Sequence, residues 1–137
     1  MTCESKYIAK TEEGGVAVEF ALLLPALVLL ITGIIQFGIL FNNYIAITHA
    51  AREGVRWAAL EEPESVVKQK AIEAAPSLKP LLAPSNITVS NADPSIEDQG
   101  DPVTVTVSYT VPIFIPLIEE FLGSNVTLQT SATQRIE

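Results

Sequence analysis

Residues 14–41 read GGVAVEFALLLPALVLLITGIIQFGILF, and this stretch decides the fold. Its one charge is Glu19, and residues 20–41 carry none. At about 1.5 Å per residue, a helix over 20–41 spans about 33 Å, the hydrocarbon thickness of a bilayer. A signal-peptide core is shorter, about 7–15 residues. The only small-residue pair near the far end, Thr48 and Ala50, makes a poor cleavage site. The run therefore predicts a retained transmembrane helix rather than an ordinary soluble globule.

Outward from this run, composition narrows the function. The chain has 137 residues, one small domain's worth, and the portion beyond residue 60 is marginal for an independent core. A large active site is not expected there. Asp and Glu total 16 against 8 Lys and Arg, a net charge of −8. Phosphate binding needs a basic surface, so nucleic acid is not an expected partner. The single cysteine, Cys3, supports neither an internal disulfide nor a cysteine-rich metal site. No apolar stretch precedes it, as a lipoprotein acceptor would require. Residues 1–14 read as a polar, mobile leader ending at the pair Gly14 and Gly15.

Nothing in the sequence stops the helix at Phe41. Tyr44, Ile47, Ala51, Val55 and Ala58 recur at helical spacing, with Arg52, Glu53 and Arg56 off that stripe. The membrane helix is thus expected to continue as an amphipathic stem to about Leu60. Pro63 marks its stop or the first turn of the next element. Residues 64–75 read as a second helix with a mixed face of Val66, Val67, Lys70, Ile72 and Glu73. Pro76, Pro80 and Pro84 make a loop.

The period then changes to two. Ile87 and Val89 alternate with Thr88 and Ser90. Val103, Val105, Val107, Tyr109 and Val111 alternate with Thr and Ser, and Val126, Leu128, Thr130 and Ala132 do so more weakly. These are three half-buried strands, and one apolar face on each needs a helical cover. Residues 112–122, PIFIPLIEEFL, are read either as a loop or short helix capping the sheet edge or as a patch touching lipid or a partner subunit.

A carboxylate inside an apolar helix start is costly, about 2–3 kcal/mol near the bilayer centre and less at the interface. Glu19 can sit at headgroup level, where the helix dipole favours it. Alternatively it is kept for a partner within the membrane. A small residue, four more, then Glu and an aromatic before a long apolar helix resembles the processing site of type IV prepilin-like proteins. The fuller string GGVAVEFALLLPALVLLITGIIQFG, followed by NNYIAITHAAREGVRWA, resembles the TadE family of minor pseudopilins of tight-adherence (Flp) pilus systems. VTVTVSYTVP and SATQRIE resemble that family's tail.

The resemblance implies cleavage after Gly14 by a membrane prepilin peptidase. Gly15 would become the new N-terminus, with Glu19 fifth and Phe20 sixth. It further implies that Glu19 attracts the terminal amine of a neighbouring subunit. An amine and a carboxylate that neutralise each other in lipid avoid the desolvation each would suffer alone. The sequence departs from the family in carrying Glu12 and Glu13 where a basic residue commonly precedes the glycine. Lys6 and Lys10 before the helix balance Arg52 and Arg56 after it, so charge sets no orientation. The resemblance implies a bacterial inner-membrane protein with a cytoplasmic N-terminus and a periplasmic or extracellular head.

Other features are weaker. Pro25 is expected to bend the helix. Ala17 and Ala21 have small-residue spacing, for which chance suffices in an alanine-rich helix. Gln36 would bond a partner helix or its own. His49 pairs with Glu53 at i,i+4 and lacks the companions that metal or catalytic chemistry needs. Asp93, Glu97, Asp98 and Asp101 around Gly100 read as a solvated turn, since their spacing does not fit a calcium loop. The sequons at Asn86 and Asn125 matter only in a eukaryotic secretory route.

The expectation is therefore an α+β, non-enzymatic, single-pass membrane protein without cofactor or metal. Residues 1–14 form a leader, 15–60 the transmembrane helix and stem, and 61–137 a head with a second helix and a three-stranded antiparallel sheet. Its expected partners are membrane lipid, a prepilin peptidase, and other pilins and the pilus assembly machinery. The competing expectation is an uncleaved bitopic anchor whose head binds another envelope protein.

Overall fold

A computed structural model describes residues 4–90, 100–115 and 123–136, with side chains of the first helix described from residue 14. The elements run α1 (Glu4–Ala58), α2 (Glu64–Glu73), a short 3-10 turn (Pro84–Asn86), β1 (Ile87–Ser90), β2 (Pro102–Pro112) and β3 (Asn125–Arg135). This is the α+β class expected from the sequence. The chain divides into two compact units, residues 1–37 and 38–137. Cys3, the acidic residues Asp93, Glu97 and Asp98, and residues 116–122 of the apolar loop lie outside the described residues.

In the first unit α1 begins at Glu4 and runs unbroken through the glycine pair. Residues 4–13 are mostly good helix formers, and the two glycines, at about 1 kcal/mol each, do not interrupt the run. The helix also continues through Pro25. Every residue from 14 to 31 is exposed. In an apolar helix that exposure is the signature of a surface meant for lipid or for other helices.

In the second unit the stem is a core element of the head. Ala46, Ile47, Ala50, Ala51, Val55, Ala58 and Ala59 are all buried, as is Gly54. The buried face is wider than the expected stripe and made almost wholly of small residues. Tyr44, placed on that stripe from its spacing, is instead exposed. Small side chains let the helix backbone come close to the sheet, and Gly54 marks the closest approach. A Cβ there would meet Val105 Cγ1 at 3.1 Å and Ala71 Cβ at 3.3 Å.

The stem ends at Ala58 in a left-handed turn, close to the expected Leu60, and Pro63 opens the next element, one of the two roles expected of it. Glu61 has φ 58°, with its N–H donating to the Ala58 carbonyl and that of Glu62 donating to the Trp57 carbonyl. These bonds satisfy the last helical carbonyls. Pro63 then caps α2 with φ −54° and ψ 143°. Helix α2 stops at Glu73, two residues short of the expected end, where Ala74 N–H still donates to the Lys70 carbonyl and a tighter bond from Ala75 to the Ile72 carbonyl leads into Pro76. Val67 and Ala71 are its buried face.

The sheet order is β1-β2-β3, antiparallel throughout. Val103, Val105, Val107, Tyr109 and Val111 all point to the core and are buried. The other face is polar and held by cross-strand hydroxyl contacts, such as Thr104 to Thr133 at 2.8 Å. The proline-rich loop contributes Leu78 and Leu82 to the core. At the far end of β2 the ladder continues past the strand, with Ile113 N–H donating to the Ser124 carbonyl.

Candidate functional site

The sequence-predicted site lies on the exposed part of α1. Gly14 and Gly15 are helical, and a Cβ on either would have no neighbour within 4 Å. Glu19 is exposed, and Phe20 beside it is 60% exposed. Gly15 and Glu19 are one turn apart, so they share a face at roughly 5–6 Å between Cβ positions. Helical spacing thus brings Glu19 and Gly15 onto one side of the helix, with Gly14 and Phe20 turned away from it. Proteases take their substrates extended, so a cut after Gly14 requires the helix to open locally. Two adjacent glycines make this the least costly place in the helix to do so.

Gln36, expected to face a membrane partner or its own helix, is a buried polar residue. Thr32 satisfies its hydroxyl within α1, donating to the Val28 carbonyl at 2.7 Å, so it costs the apolar surface little. Among the described residues no group of three or more His, Cys, Asp or Glu could hold a metal ion.

The stem carries a second polar arrangement that spacing did not disclose. Trp57 Nε1 donates to Glu53 Oε1 at 2.8 Å, so Glu53 is engaged by Trp57 rather than by His49. Lys70 Nζ of α2 lies 5.4 Å from the Trp57 ring centroid and donates to Glu73 Oε2 at 3.0 Å. The hydrogen bonds from Lys70 and then Gln69 hold the exposed Glu73 carboxyl below its usual range. This chain of contacts ties the end of α1 to α2. Its signal in the sequence was the Glu53–Trp57 spacing of i,i+4, which competed with His49–Glu53 at the same spacing.

The family model described as TadE-like protein matches residues 14–56. Over this segment the chain is similar to that family. The match begins at Gly14, runs through the apolar helix and stem, and stops before Trp57. It does not reach VTVTVSYTVP or SATQRIE, whose resemblance to the family's tail remains a reading of the sequence. No curated protein and no solved structure matches the chain. Among the described residues one helix, near the N-terminus, is long and apolar enough to cross a membrane, which fits a single-pass membrane protein. A TadE-like segment on such a helix fits a component of a tight-adherence pilus system.

Proposed function

We propose that the chain is a minor pseudopilin that helps initiate or support assembly of a tight-adherence pilus, and that it is not an enzyme. The observation that carries this is a TadE-like helix exposed at every residue from 14 to 31 and bearing one carboxylate, Glu19, in that stretch. In lipid, so long an exposed surface packs against other helices without hydrophobic cost. Register is then set by the polar group that must find a partner. Cleavage after Gly14 by a prepilin peptidase frees the Gly15 amine. A neighbouring subunit's amine meets Glu19, and the two charges neutralise each other where neither is well solvated. Phe20 packs beside this pair. The subunit sits in the inner membrane with a cytoplasmic leader and a periplasmic head.

The uncleaved anchor is favoured by one observation, the helical conformation of Gly14 and Gly15. Intact-mass and N-terminal analysis of the protein extracted from membranes of its own cells separates the two. An N-terminus at Gly15 supports the pseudopilin; a chain that retains Met1 when prepilin peptidase is active supports the anchor.

A further inference from the structure

We propose that the free edge of β3 takes an extended, acidic segment of another protein as a fourth strand, with Arg56 and Arg135 binding its carboxylates. Every contact behind this lies within the second unit. β3 pairs with β2 alone, so its other side is a sheet edge. The hydrogen bonds at the two ends of the hairpin tell which groups point outward. Ile113 N–H donates to the Ser124 carbonyl, and Ile136 N–H donates to the Asp101 carbonyl. Bonded pairs alternate along an antiparallel ladder, so the even-numbered residues of β3 bond to β2. The N–H and C=O groups of Asn125, Thr127, Gln129, Ser131, Thr133 and Arg135 therefore point away from it. Among the described residues no other segment bonds to them.

Edge strands are ordinarily blunted by charge, proline, a bulge or shortness. Residues 125–134 carry no charge and no proline. Pairing with β2 is one-to-one from Asn125 to Arg135, so no bulge interrupts it. So long and regular an edge is a template for strand addition. The helical cover also stops short of it. Val105 and Val107 of β2 are 0% exposed. The residues of β3 on the same face, Val126, Leu128, Thr130 and Ala132, are only half-buried. A fourth strand with apolar residues on this face and polar ones on the other completes their burial.

Charge selects the occupant. Arg56 of the stem lines a small cavity with Ala59, Leu60 and Gln134. This is the core side of the sheet, since Gln134 pairs with the buried Val103. Arg135, the next residue, is exposed and belongs to the opposite face. One arginine thus flanks this end of the edge on each face. Neither has an ion pair among the described residues, in a chain with 16 Asp and Glu. Two adjacent carboxylates on an added strand point to opposite faces and so reach both arginines. A second copy does not supply this, because residues 125–136 contain an arginine and no Asp or Glu. Antiparallel addition, the commoner kind, places the acids at the N-terminal end of the segment. The inference needs only the folded head, and neither cleavage nor a place in a pilus.

The test uses the full chain in detergent and two acetylated, fluorescein-labelled peptides, EEVTVTVT and KKVTVTVT, followed by fluorescence anisotropy. The acidic peptide should bind saturably and the basic one should not. Arg56→Gln should weaken binding by about fivefold. Ser131→Pro removes one outward N–H at an edge position where proline is tolerated, and should abolish binding with the near-UV circular dichroism of the head unchanged. Should that variant unfold, the acidic peptide N-methylated at every valine and threonine keeps the test open, since it should lose its binding to the parent chain. No saturable binding of EEVTVTVT, equal binding of both peptides, or undiminished binding after N-methylation overturns the proposal. A parent dimer that Ser131→Pro converts to monomers, measured by sedimentation in detergent, overturns it in favour of a second copy. N-terminal analysis reports on the pseudopilin reading independently.

Discussion

Gly54 and Val105 approach so closely that a Cβ on the glycine would sit 3.1 Å from Val105 Cγ1. With Ala71 Cβ at 3.3 Å from the same point, the stem, α2 and β2 converge on a position with no room for a side chain. Gly54→Ala sets this crowding against about 1 kcal/mol of helix propensity, and the two nearly cancel. Gly54→Leu has no such compensation and is expected to destabilise the head by about 3 kcal/mol. For a unit near one hundred residues that lowers Tm by more than about 10 °C. Thermal unfolding of the full chain in detergent, followed by near-UV circular dichroism, checks this. A Gly54→Leu variant as stable as the parent would show that the helix does not pack on the sheet in this way.

Much of this fold was legible because its periods are clean. Residues 20–41 carry no charge, and the valines of β2 alternate over the whole strand. Spacing gave Ile47, Ala51, Val55 and Ala58 of the stem's buried face but misplaced Tyr44. Tyr44 fits a helical stripe arithmetically, yet the buried face is set by how near the backbone can come to the sheet. Alanine and glycine answer that, and hydrophobicity does not. Glu53 illustrates the same limit, since His49 and Trp57 are both four residues away and only packing chooses Trp57. Gly14 and Gly15 do not interrupt α1, because their cost is modest inside a favourable run. The site residues were legible as a pattern. Gly14, Gly15, Glu19 and Phe20 carry their meaning in sequence order along one exposed helix rather than in a pocket.

Tyr109 makes head stability sensitive to alkali. Its hydroxyl donates to the Pro80 carbonyl at 3.0 Å, and burial pushes the phenol above its ordinary value of 10.0. The unfolded chain therefore loses this proton first. The contribution is complete below about pH 10 and is lost as pH rises through the folded value. Tyr109→Phe should cost about 1 kcal/mol at neutral pH by removing the hydrogen bond. It should also flatten the fall in Tm between neutral pH and the alkaline range. A Phe variant with the parent's alkaline slope would assign that fall to other groups.

Glu61 occupies the left-handed position that ends the stem, with φ 58°. For a residue with a Cβ that conformation costs about 1 kcal/mol or more, and glycine adopts it freely. Glu61→Gly should stabilise the head by about 0.5–1 kcal/mol, net of the entropy glycine adds to the unfolded chain. Glu61→Ala should give no such gain, which separates backbone strain from removal of one acidic charge. Equal Tm values for the Gly and Ala variants would sink the strain argument.

Glu19 is where the assembly proposal is most exposed to test. The carboxylate lies on an exposed helix face one turn from Gly15, so its removal should disturb neither the packing of the head nor the helix itself. Glu19→Ala removes a polar group from an apolar segment and should leave membrane insertion intact or slightly improved. Glu19→Gln keeps size and hydrogen bonding while removing the charge. If Glu19 neutralises a neighbour's amine, both variants should insert normally yet lose piliation by an order of magnitude or more, and Glu19→Asp should retain part of it. Membrane fractionation, N-terminal analysis and counting of pili by electron microscopy read these steps separately. Normal cleavage with lost piliation places Glu19 in assembly, and lost cleavage places it in recognition by the peptidase. Normal piliation in Glu19→Ala removes the charge from the mechanism altogether and leaves shape as the only determinant of helix register.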